Sequence, residues 1–271
     1  MHSIRQPAVA GIFYPGQAAV LSRTVRALLS VAAPADGPEA AAPKALIVPH
    51  AGYEYSGATA ALAYARLELL RSVIRRVVLL GPVHRVPVNG LVLPGADTFV
   101  TPLGQIEVDQ DAIGGLKRLR QVGVSPAAHA LEHSLEVQLP FLQTVLEDFK
   151  LVPLAVGDAT PAEVAQVLEA LWGGPETLIV VSSDLSHFLP YHAAQAVDQD
   201  TVQRILTLSG SLTHAQACGG TPVNGLMLAA LQHHLRPHLL GQCNSGDTAG
   251  DKNRVVGYAA IAFTQDQDHV H

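Results

Sequence analysis

The 271 residues carry 17 Lys and Arg against 23 Asp and Glu, a net charge of −6 with neither sign gathered in a run, which argues against a basic phosphate-binding face and nucleic acid as a partner. Hydrophobic residues make up 48% and charged residues 15%, with a mean hydropathy of +0.25. This excludes a disordered chain and points to a sheet covered on both faces.

No apolar stretch reaches the roughly 18 to 20 residues of a membrane helix, so no membrane association is expected. The segment from Met1 to Gly11 lacks the charged start and continuous apolar run of a signal peptide. Cys218 and Cys243 are too few for a disulfide framework. The expected location is a reducing cytoplasm.

In chain order, Gly11-Ile12-Phe13-Tyr14-Pro15-Gly16 reads as a strap closed by a Pro-Gly turn. Helical spacing follows from Ala18 to Leu29, and Ala32 to Pro43 reads as a surface linker. Ala45 to Val48 is an apolar strand that stops at Pro49-His50-Ala51-Gly52-Tyr53, and a helix is expected from Ser56 to Leu70. The strand Val77 to Gly81 runs into Pro82-Val83-His84-Arg85, repeating the pattern of strand, turn and histidine.

Leu91-Val92-Leu93 is a short strand, Phe99 to Val108 a hairpin, and Asp109 the cap of a helix reaching about Gln121. Across His129 to Phe141 the leucines have helical spacing. That reading puts His133 and Glu136 on one helix face, with Pro140 a kink or a helix start. Leu151 to Val156 is a strand, and Thr160-Pro161 opens a helix.

Leu178 to Val181 is a buried strand that delivers Ser182-Ser183-Asp184-Leu185-Ser186-His187. Helices over about Ala193 to Leu208 and Thr221 to His234 precede a strand at His238 to Gly241 that leads to Cys243, and a last strand from Val255 to Phe263. The expected architecture is one α/β domain over 1–271, with a central mixed, mostly parallel sheet, helices on both faces and a polar tail from about 265.

Taken singly, each histidine has a structural explanation. Their coincidence is more telling: His50, His84, Asp184 with His187, and Cys243 each follow a separate apolar strand, and strands joined by helices end on one edge. Two imidazoles and a thiolate, His50, His84 and Cys243, make a three-ligand set that leaves a metal an open position. Such donors suit iron, copper or zinc rather than magnesium or calcium. Asp184 is equally readable as a helix cap, and Cys218 as a buried thiol.

Seven motifs then carry a resemblance: Arg5 to Gly11 with Phe13-Tyr14-Pro15, Pro49 to Tyr53 with Tyr55-Ser56-Gly57, and Gly81 to His84, followed by Glu132 to Glu136, Ser182 to His187, Cys218-Gly219 and Gly257 to Ala260. The chain resembles the Memo family, whose bacterial and archaeal members are called AmmeMemoRadiSam system protein B. The resemblance implies the fold of class III extradiol (LigB-type) non-haem iron dioxygenases and an iron or copper site at His50, His84 and Cys243. It also implies pocket roles for Asp184, His187 and His133, and radical-SAM system partners.

Three functions follow as expectations. The first is a metal-dependent oxidoreductase, with iron(II) favoured over copper or zinc, His187 as base or proton donor and Asp184 orienting it. The second is a non-enzymatic protein binding a peptide or small molecule in the same pocket. The third is a metal-free cysteine hydrolase with Cys243 as nucleophile.

Overall fold

The computed structural model describes residues 3–32 and 42–265. The expected linker falls largely in the gap, and the expected polar tail almost entirely past the end, of the described residues.

The elements begin with β1 (Ile4–Arg5), α1 (Ala18–Val31), β2 (Pro43–Val48) and α2 (Tyr53–Tyr64), which continues as a 3-10 turn over Ala65–Leu70. Next come β3 (Arg76–Pro82), β4 (Leu91–Leu93), the hairpin β5 (Thr98–Thr101) and β6 (Gly104–Glu107), α3 (Gln110–Leu116), β7 (Val122–Val124), α4 (Pro126–Ala130) and α5 (Leu139–Val145). The order closes with β8 (Lys150–Val156), α6 (Pro161–Ala170), β9 (Thr177–Ser182), β10 (His187–Leu189), α7 (Tyr191–Leu206), α8 (Gly220–Gln232), β11 (Leu235–Asn244) and β12 (Val255–Gln265).

Nine strands form one mixed sheet in the order β10-β12-β2-β9-β3-β8-β4-β7, with β11 on the outer side of β12. The four central strands, β2, β9, β3 and β8, are mutually parallel, and the antiparallel pairs lie on the flanks. Successive residues of β3 and β9 are buried, as a strand covered on both faces requires. Helices α1, α2 and α5 pack together as one layer, and α6 with α8 as another.

Local chemistry fixes the helix starts. Thr160 and Glu163 form a reciprocal capping box with Pro161 in the first turn of α6. Asp109 caps α3 through the Ala112 N–H at 3.0 Å. That helix stops at Leu116 rather than near Gln121, because Gly114 and Gly115 weaken it and Val122–Val124 pairs with β4 instead.

A larger departure lies at 131–138. The expected helix there is a turn followed by a 3-10 segment, Glu136–Gln138, with Pro140 in the first turn of α5. His133 and Glu136 therefore part company. The Glu136 carboxylate turns inward, where it pairs with Arg5 and accepts from Ala8 N (2.8 Å), Val9 N (3.0 Å) and Tyr14 Oη (2.6 Å). One buried acid thus ties down the N-terminal strap, and the strap places Phe13 against the His133 ring at 4.7 Å.

Register aligns the strand ends. Val48 stands opposite Ser182, and Val181 opposite Leu80. The segments leaving β2, β9 and β3 therefore emerge at one level of the carboxyl edge, where the crevice of an open α/β sheet lies.

Candidate metal centre

His50, His84 and His133 converge at this edge, and their ligand atoms all lie within 4.8 Å of one another. His50 and His84 leave β2 and β3. His133 arrives from the turn before the 3-10 segment, and that turn is pinned to the sheet by Ser134 Oγ donating to Pro82 O (2.8 Å) and Ser182 Oγ donating to Ser134 O (2.6 Å). The approach is close enough that a Cβ on Gly81 would stand 2.8 Å from Ser134 Oγ, so glycine is required there.

Hydrogen bonding fixes which nitrogen is free in two of the rings. Pro49 O and Ser134 O are acceptors only, so the Gln138 amide must donate to Pro49 O (2.9 Å) and the Ser182 hydroxyl to Ser134 O. Ser182 Oγ is left to accept, from Gln138 Nε2 at 2.8 Å and from His50 Nδ1 at 2.9 Å. His50 is therefore the Nδ1–H tautomer, with the lone pair on Nε2.

Glu132 does the same for His84 and stands beside the ring of His133. Its carboxylate accepts from His84 Nδ1 at 2.9 Å and stands 3.3 Å from His133 Nδ1. It also accepts from the backbone N–H of His84 (2.6 Å), His133 (2.9 Å) and Ser134 (2.9 Å).

The electrostatics favour the neutral form of His50 and of His133. Burial, reinforced by repulsion from His133, His84 and His187, holds His50 well below the ordinary histidine range. Burial, with smaller contributions from His84 and Arg85, brings His133 to about 4 despite the opposing Glu132 charge. For Glu132, burial pushes upward, but the hydrogen bonds from His84 and Ser134 outweigh it and bring the carboxyl down to about 2. Three imidazoles, two of them kept uncharged by burial, backed by one carboxylate are a donor set that fits a borderline transition metal.

The third ligand expected from the sequence, Cys243, lies outside this cluster. The Sγ of Cys243 lies 3.1 Å from Thr59 Oγ1 of α2 and is not among the converging donors. The reason is topological. Among the described residues β11 pairs with β12 alone, which separates it from β2, so Cys243 stands two strand spacings, roughly 10 Å, from the line of β2.

The thiol beside the imidazoles is Cys218, whose Sγ is 3.3 Å from His50 Nε2. Burial, with the nearby Asp184 charge, pushes that thiol up to about 12.

Among the described residues, Asp184 caps no helix and makes no hydrogen bond to His187. It accepts from His50 N at 2.7 Å and from Ala51 N, so it shapes the loop that presents His50, and burial raises it to about 7. The ring of His187 is held instead by Leu185 O, 2.9 Å from Nδ1, and burial lowers its pKa. Because a carbonyl only accepts, Nδ1 carries the proton and Nε2 is the basic nitrogen.

His84, His187 and Cys218 line a cleft of about 1340 Å³. Glu132 and Cys218 both fall within the sequence motifs, but neither is placed at the metal by its motif. An acid directly preceding a histidine was the available signal for the first, and Cys218-Gly219 at a helix start for the second.

A family model described as Memo-like protein matches residues 5–262. A MEMO1 family protein of Aquifex aeolicus is 34% identical over 273 residues, covering 96% of this chain and 99% of that protein. A MEMO1 family protein of Methanosarcina barkeri is 36% identical over 274 residues, covering 95% and 99%. Among solved structures, an uncharacterized protein, JW3007, from Escherichia coli K12 is similar with a TM-score of 0.45 and 14% identity, covering 80% of this chain and 98% of that one. Matched by the family model over 5–262 and by relatives at 34% and 36% identity along nearly their whole length, the chain belongs to the Memo family.

Proposed function

We propose that this chain is a metal-dependent oxidoreductase whose ion, iron(II) in the first instance, is held by Nε2 of His50, His84 and His133. The observation that carries this reading is proton placement. Ser182 and Glu132 hydrogen-bond Nδ1 of His50 and His84, Glu132 stands beside Nδ1 of His133, and the three rings bring ligand atoms within 4.8 Å of one another. When bound, such an ion supplies one-electron chemistry with positions left open for a substrate, since three protein ligands do not fill its shell.

The surrounding residues serve that arrangement. His187 offers a neutral Nε2 on the cleft wall, able to take a proton from a substrate hydroxyl as it docks. Asp184 holds the His50 loop through two backbone N–H groups. Phe13 covers the His133 ring and limits its contact with water.

Cys218 favours a second reading, in which the ion is copper. A sulfur 3.3 Å from His50 Nε2 is a soft donor, and soft donors select copper(I).

Anaerobic purification without chelator or histidine tag, followed by elemental analysis, tests both. About one iron per chain supports the first reading, and copper held with loss on Cys218→Ala supports the second. No bound metal, and no uptake of added iron(II) or copper(I), would overturn the proposal.

A further inference from the structure

Most polar groups around the metal centre are spoken for. Arg85 is not. It follows His84 directly, lines the 1340 Å³ cleft, and lies near enough to the donor set for its charge to be felt at His133. Among the described residues its guanidinium makes no hydrogen bond or ion pair, whereas the buried Arg5 is satisfied by Glu136, His129 O and Glu132 O.

The remaining walls are largely apolar, with Val83, Val86, Val88, Val156, Leu189 and Val197 facing the space. Asp158, the acid of the cleft, is likewise not bonded to Arg85, although the backbone of 88–90 is hydrogen-bonded to 157–158. The two charges are not joined in an ion pair, and the cleft carries a cation next to His84 and an acid at Asp158.

We propose that the substrate of this cleft has an apolar body and a carboxylate, and that Arg85 receives the carboxylate. A guanidinium presents two parallel N–H donors that match a carboxylate's two oxygens, the strongest class of side-chain hydrogen bond. The valine walls take up the body by removing apolar surface from water. Asp158 repels the acid group from the other part of the cleft and so sets its direction. This inference rests on the reading of the cleft as the approach to a metal, but Arg85 is not a ligand, and the two can be tested apart.

The probes are 3-phenylpropionate and its neutral amide, titrated calorimetrically into iron(II)-loaded protein under anaerobic conditions and into chelator-treated protein. Wild type is expected to prefer the acid by about tenfold, an exposed guanidinium being partly screened by water. The preference should persist after chelation, fall to within about twofold in Arg85→Gln, and recover in part in Arg85→Lys, a point charge without the fork. Asp158→Asn should strengthen binding of the acid.

Absence of any preference, a preference unchanged in Arg85→Gln, or failure of both probes to bind would overturn the proposal. A preference that disappears on chelation and ignores Arg85→Gln would assign the carboxylate to the metal and overturn it equally. If the chain binds no metal while the Arg85-dependent preference stands, the oxidoreductase reading fails and this inference does not.

Discussion

Replacing Glu132 by Gln separates a metal-tuning role from a merely structural one. Glu132 is 1% exposed, and its two oxygens accept from His84 N, His84 Nδ1, His133 N and Ser134 N at 2.6 to 2.9 Å. Glutamine keeps the shape. Placed with its oxygen where Oε1 stands, it retains three of these bonds but turns an N–H toward the backbone N–H of His84. An orphaned buried donor costs about 1–3 kcal/mol, so the chelated protein should lose that much in urea denaturation.

The charge matters separately. A carboxylate behind a ligating imidazole raises its basicity and fixes its tautomer, and removing it typically weakens metal binding about 10–100-fold. Competition with a chromophoric chelator reads that loss. An unchanged metal affinity alongside reduced stability would refute the reasoning and leave Glu132 as a loop clasp only.

The same variant carries a pH signature. Glu132 is depressed from 4.5 to about 2, so its stabilising contribution is complete above its unfolded value and is lost as pH falls from 4.5 toward 2. That portion of the acid slope should be missing from Glu132→Gln.

Two further predictions concern the thiols and the strap. Cys218→Ser should alter the electronic spectrum of the metal-loaded protein, while Cys243→Ser should leave it unchanged, because Cys243 faces Thr59; the reverse outcome would restore Cys243 as the ligand. Glu136→Gln removes one partner of a buried ion pair in which Glu136 is fully enclosed. It is expected to lower the stability by about 3–5 kcal/mol in urea denaturation, and a change below about 1 kcal/mol would contradict the strap's dependence on that acid.

What the sequence made legible was whatever follows from short-range patterning. Ala45 to Val48 and Val77 to Gly81 announced themselves as core strands, and the polar groups after them reach the same edge, which places His50 and His84 together. Thr160-Pro161 likewise declared a helix start by cap chemistry alone. Residues 131–138 did not, because leucine spacing indicates which side chains are buried and not whether the backbone between them is helical; the hydrogen bonds to Glu132 and Glu136 override that periodicity.

Cys243 shows a different limit. Its strand ends at the right level of the sheet, but nothing local reveals that β12 returns between β11 and β2. Cys218 was hidden for the converse reason. It follows no strand and is brought to His50 by the loop ahead of α8, where its N–H donates to Asp184 O at 3.3 Å.

The central claim is that three imidazoles, and not two imidazoles with Cys243, hold one ion. Metal stoichiometry after equilibration with iron(II) under anaerobic conditions, compared across His50→Ala, His84→Ala, His133→Ala and Cys243→Ala, tests it most directly. The account predicts about one iron per chain in wild type and Cys243→Ala, with loss in each histidine variant. Retention of iron in His133→Ala together with its loss in Cys243→Ala would contradict it.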